Sequence, residues 1–216
     1  MDHTPERQPF ARKLFVWFQL VIGYGLIECA LWSPRITIRN RWALVAAIVI
    51  VIFFLLDRPS IRRMGLGLPS TLGASVVLAI SFAAAIVMIF FVQSIGGQIA
   101  PLPTWTTLFR SSGYVIWALL QELLLQSFFF TRCEDLFGTS GAVWVAATLF
   151  AAAHLPNLIL TTLALVGGLF FCEMFRRYRS IYPIGIVHAL LGLTVAITMP
   201  DSLLHHMRAG IGFLQY

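Results

Sequence analysis

Charge is scarce in this chain. Asp, Glu, Lys and Arg make up 11% of its 216 residues, where a soluble domain carries roughly a quarter. Lysine is almost missing, with Lys13 the sole example, so the net charge of +6 rests on arginine. Those arginines fall in short clusters between apolar runs, not on one continuous basic face. That argues against nucleic acid as a partner and for the basic flanks of membrane helices. Cysteine is rare too: Cys29, Cys133 and Cys172 show no CxxC spacing, and two lie inside apolar runs. They read as small buried side chains and not as a disulfide framework. The signatures HExxH and GxSxG are absent. Asp57, Asp135 and Asp201 all fall outside the apolar runs, so no intramembrane aspartate pair exists.

What the chain has in quantity is apolar sequence. It is 59% hydrophobic, with a mean hydropathy of +0.85. This predicts an all-α, polytopic transmembrane helix bundle of about seven to eight helices, a single integral domain over 1–216 with the lipid bilayer as its surroundings. Spans are expected near 14–33, 42–56, 71–95, 113–130, 142–154, 158–175 and 181–199. The first is long for a signal-peptide core, holds Glu28 and is followed by no small-x-small cleavage site, so it is expected to be retained. The second is short for a bilayer, which takes ~20 residues. The segment 59–70, with Arg62 and Arg63, is expected either along the membrane surface or as a loop. A long loop at 96–112 would carry Trp105 as an interface anchor, and RCEDLFGTSG (132–141) reads as a polar turn. Segments on the side of the N-terminus hold 10 Lys and Arg against 5 on the other. The expectation is a multi-pass protein of the bacterial inner membrane with a cytoplasmic N-terminus.

Few polar side chains interrupt the runs. Glu122 lies inside YVIWALLQELLLQSFFFTR, with Gln126 one helical turn on and Gln121 about 100° round the helix. His154 ends LFAAAH and His188 lies in IVHALLG; His3, His205 and His206 are in polar tails. A charge at the bilayer centre costs at least ~2.5–3.5 kcal/mol, so such residues face the interior or a water-filled cavity and mark function. One carboxylate and two imidazoles on late helices permit general-base hydrolysis, with an imidazole serving the oxyanion. They also permit a zinc site with an open position for water. Ser127 has no accompanying motif. Glu173 is expected to pair with Arg176 or Arg177.

The order QELLLQ (Gln121–Gln126), FAAAH (Phe150–His154) and HALLG (His188–Gly192) resembles the CPBP family, which includes CAAX prenyl endopeptidases and bacteriocin-processing or immunity proteins. LFG after the first motif and YPIGIVHA before the last histidine fit as well, and the resemblance covers about 117–198. It implies an intramembrane glutamic-type endopeptidase that acts on a membrane-anchored or hydrophobic peptide or protein, with no cofactor the favoured expectation and zinc the other. Carried over by position, Glu122 and His154 would activate water and His188 would donate to the oxyanion. Gln121, Gln126, Phe150 and Gly192 would be the supporting positions. Three of these depart from the family pattern EExxxR, FxxxH, HxxxN: Gln121 stands for the first Glu, Gln126 for the Arg and Gly192 for the Asn. Asn157, near His154, is one candidate substitute for that Asn. The alternatives are an immunity or peptide-binding protein of the same fold without turnover, and a small transporter.

Overall fold

A computed structural model describes residues 10–97, 99 and 105–215, without side chains for 105–111. Trp105, expected as an interface anchor, therefore has its side chain outside the described residues. The described chain is helical throughout: α1 Phe10–Leu31, α2 Ile36–Asp57, α3 Thr71–Ser94, α4 Trp105–Glu122, α5 Thr131–Ala152, α6 Leu158–Tyr178 and α7 Ile181–Thr198, then short α8 Asp201–Leu204 and α9 Ile211–Leu214. Among the described residues, six stretches are long and apolar enough to cross a membrane, the longest being Ser112–Ala152. Helices satisfy their own backbone hydrogen bonds, which lipid cannot do.

Several boundaries differ from expectation. α2 starts at Ile36, so its opening turns contain Arg39 and Arg41 and its 22 residues are a full span, not a short one. Arginine stems lie along apolar helix surface while their heads reach outward, which hides such a start behind a basic cluster. The 96–112 loop is shorter than expected because α4 begins at Trp105. The polar stretch 132–141 is not a turn over its length. The chain leaves α4 through a π-helical segment, Leu123–Phe130, and stays helical past Arg132.

The reversal is confined to Gly138, at φ 73° and ψ 172°. That backbone region is essentially open to glycine alone. Gln121, Leu125 and His154 line one cavity. An uninterrupted helix would hold Gln121 and His154 roughly 50 Å apart, so α5 folds back along α4.

The two ends of the bundle differ. At one, Arg12 and buried Arg132 grip Asp57 at 2.8 and 3.0 Å, Arg63 meets Asp135 at 2.5 Å, and Arg179 pairs with Glu134. Arg132 also donates to Gln19 Oε1 (2.8 Å) and the Phe128 carbonyl (3.1 Å), with its Cζ 3.8 Å over the Phe128 ring. The 59–70 segment is a strap across this end. Ser127 Oγ donates to the Met64 carbonyl, Ile181 N–H to that of Gly65 and Tyr182 Oη to that of Leu66, while Ile61 and Leu68 stay exposed. At the opposite end, Gly210 N–H donates to the Leu155 carbonyl (2.7 Å) and Asn157 to that of Leu204 (2.9 Å). Alternate connections thus gather at alternate ends, as chain crossings require. Between them lies an aromatic core around Phe128, Phe130 and Phe175, with the last two edge-to-face at 5.3 Å.

Candidate active site

α4 turns two polar faces to two neighbours. Tyr114, Trp117 and Gln121, at i, i+3 and i+7, form one stripe along a cavity. Glu122, about 100° round, points away from that cavity and is fully buried. The helix becomes π-helical directly after Glu122, a rare register that recurs at functional sites. α7 comes close on the Glu122 side because position 185 has no side chain. A Cβ there would fall 3.1 Å from Leu119 Cγ and 3.3 Å from Leu119 Cα.

That approach seats His188. Its Nδ1 lies 2.8 Å from Glu122 Oε1, and Gln126 Nε2 donates to Glu122 Oε2 at 2.9 Å. Both carboxylate oxygens are engaged. The His188 ring is further fixed by Phe171, stacked at 5.1 Å, and by Phe150, edge-on at 5.8 Å. Gln126 holds the carboxylate as a donor where the family pattern has an arginine, and its own Oε1 is buried without a partner.

His154 sits in the turn just past the end of α5. Gly138 stands 16 residues from Glu122 and 16 from His154. Arms of equal length, about 24 Å each at 1.5 Å per residue, bring the two to the same depth. This closes the mismatch that a turn spread over 132–141 would have left. His154 Nδ1 is 2.7 Å from the Phe150 carbonyl. A carbonyl only accepts, so Nδ1 carries the proton and the neutral ring keeps its lone pair on Nε2. Burial pushes its pKa below the usual histidine value; the hydrogen bond to the Phe150 carbonyl opposes this, and neighbouring His188 adds to the lowering. Phe150 packs edge-on to it at 4.8 Å, one turn before it as the sequence suggested.

Two cavities meet at this point. One, of about 270 Å³, is lined by Tyr114, Gln121, His154, His188 and Gly192 among others. The second, about 450 Å³, runs between α1, α2 and α4 over Tyr24, Ile27, Ala46, Ile50 and Leu125. Both include Trp117, Gln121, Phe150 and His154. Of the adjacent polar pair on α4, Gln121 and not Glu122 reaches them. An apolar trough therefore opens onto a smaller, mainly apolar chamber that carries a few polar groups, and the amide of Gln121 stands at the junction.

A catalytic zinc takes three protein ligands. Glu122 is committed to Gln126 and His188, and among the described residues no three His, Cys, Asp or Glu side chains converge. Other expected residues have structural roles. Asn157 caps α6 through the Leu160 N–H and holds the Leu204 carbonyl, so it does not replace the missing Asn. Ser127 ties down the 59–70 strap. Glu173 binds Arg176 and Arg177 as expected, and Glu28 accepts from Trp32 Nε1 near the end of α1. Sequence reading missed Tyr114, which faces His188 across the chamber, and Arg132, which is a buried network residue and not part of a surface turn. The i, i+3, i+7 spacing of Tyr114, Trp117 and Gln121 was the available signal for the first.

Residues 101–194 match the family model described as type II CAAX prenyl endopeptidase Rce1-like. No significant match was found among curated proteins or among solved structures.

Proposed function

We propose, from the match of residues 101–194 to the Rce1-like CAAX endopeptidase model, that the chain is an intramembrane endopeptidase in which His154 is the base on water and Glu122 is a positioning residue. The observation that carries this reading is the division of labour on α4: Gln121 lines the chamber, while Glu122 is buried with both oxygens engaged. This changes the sequence-based assignment, in which Glu122 and His154 together activate water.

The chemistry runs through atoms that line the chamber. Gln121 Oε1 accepts a hydrogen bond from water but cannot take its proton. His154 Nε2 takes that proton as the water oxygen adds to the scissile carbonyl carbon, and the carbonyl electron pair moves to oxygen. Glu122 fixes His188 at Nδ1, so Nε2 is the ring atom left to serve the oxyanion, in the form of the ring that carries a proton there. The C–N bond then breaks, and His154 returns its proton to the leaving amine. The apolar trough suits a lipid-attached or hydrophobic segment, so the substrate class is a membrane-anchored peptide or protein. The paired arginine end is the cytoplasmic one on the positive-inside rule.

Cleavage of membrane-anchored reporters by the protein in liposomes made up in H₂¹⁸O tests the reading. One ¹⁸O in the new carboxylate is the expected product. Glu122→Gln should lower kcat by ~10²–10⁴, the range over which acid–base geometry matters. kcat/KM should rise with pH through a midpoint below ~6.5, because protonated His154 accepts nothing. Reporter binding without cleavage would instead leave a peptide-binding protein of this fold. A Glu122→Gln variant with wild-type turnover would remove the Glu122–His188 unit from the mechanism.

A further inference from the structure

Gly192 is where the resemblance leaves a gap, since the family pattern puts an oxyanion-donating Asn one turn after the histidine of α7. The space is not empty. A Cβ built on Gly192 would overlap the hydroxyl of Tyr114 and lie 2.8 Å from its Cζ. The Tyr114 phenol therefore occupies the volume that a side chain at 192 would need, entering from α4 on the opposite wall. Positions 188 and 192 are i and i+4 on α7, with Cβ atoms ~5–6 Å apart. The hydroxyl thus stands one turn from His188, in the same chamber as Gln121 and His154. No hydrogen bond within the described residues engages it. A tyrosine hydroxyl within a membrane protein ordinarily finds a partner when buried, and this one faces the cavity where substrate would lie.

We propose that Tyr114 is the second oxyanion donor of this site, its Oη–H taking the part that an Asn at position 192 plays in the family pattern, with Gly192 the residue that makes room for it. This rests on the hydrolase reading above. Tyr114 and His188 then flank the scissile carbonyl oxygen from α4 and α7, with His154 and Gln121 on the water side. The loss of Asn at 192 and the presence of Tyr at 114 are one exchange. An Asn cannot enter while the phenol is there, and a phenol could not reach the chamber past a side chain at 192.

The test combines turnover with ligand binding, on the full chain in liposomes. Tyr114→Phe keeps the ring and removes only the donor. It should lower kcat by ~10²–10³, leaving KM and the unfolding temperature unchanged. Gly192→Asn alone should lose activity through collision with the phenol. Tyr114→Ala with Gly192→Asn should recover at least about tenfold over Tyr114→Ala, because an amide donor then reaches the oxyanion. Equal kcat for Tyr114→Phe and wild type would overturn the proposal. The second readout does not need turnover: affinity for a prenylated tetrapeptide phosphonate, which presents a tetrahedral anion, against that for its parent amide. Tyr114→Phe should weaken the phosphonate by about 10²-fold and leave the amide alone. A wild type that binds the phosphonate through Tyr114 yet cleaves nothing would contradict the protease and uphold the oxyanion donor. A wild type that binds phosphonate no better than amide would overturn both.

Discussion

Arg132 and Glu122 are both charged residues buried in the same bundle, and they are treated in opposite ways. Arg132, at the arginine-rich end, spends its guanidinium inward on Gln19, Asp57, the Phe128 carbonyl and the Phe128 ring. All three of its nitrogens are engaged within the protein. Glu122 also satisfies both oxygens, but it does so through His188, a side chain that lines the chamber. At the arginine-rich end the network closes on itself. At the other, the chain of hydrogen bonds terminates at atoms that face a cavity. Burial of a charge marks expense at both ends; only the direction of the last hydrogen bond separates a structural network from a chemical one.

The separation can be broken first where it is strongest. Arg132→Met strips partners from Asp57 and Gln19 and should cost about 3–5 kcal/mol, the range for breaking one side of a buried pair. Chemical unfolding in detergent reads this, and turnover per folded molecule should not change. Replacing Asp57 as well, by Leu, should recover part of the loss, since a buried pair exchanged for apolar residues is often neutral. Next comes the hinge that sets the depth of His154. Gly138→Ala places a side chain where φ is 73° and should cost ~1–3 kcal/mol. Unlike Arg132→Met, it should also lower kcat, because it tilts the arm that carries His154. The smallest effect belongs to a pair that only looks similar in sequence. Glu173, paired with Arg176 and Arg177, is partly exposed, and Glu173→Gln should change stability by ~1 kcal/mol or less. A larger change in the unfolding midpoint would move Glu173 into the closed network.

The sequence made some of this legible and hid the rest for physical reasons. Apolar runs and scarce charge are enough to read an all-helical membrane bundle, because lipid leaves few other folds. The angular offset of Gln121 from Glu122 follows from helical geometry, and the two do face different neighbours. The start of α2 was obscured because Arg39 and Arg41 snorkel from within a helix. The turn was blurred because RCED reads as polar surface when it is in fact the paired end of the bundle. The contact of Tyr114 with Gly192 lies between residues far apart in the chain, on α4 and α7, and no local pattern announces it.

The central claim is that His154 handles water while the fold stands without it. Single-turnover cleavage of a membrane-anchored reporter in liposomes, by wild type and by His154→Ala, measured beside the unfolding midpoint of each, tests this most directly. The account predicts a rate lowered by ~10²–10⁴ with the midpoint unmoved. A His154→Ala protein that cleaves at the wild-type rate would contradict it.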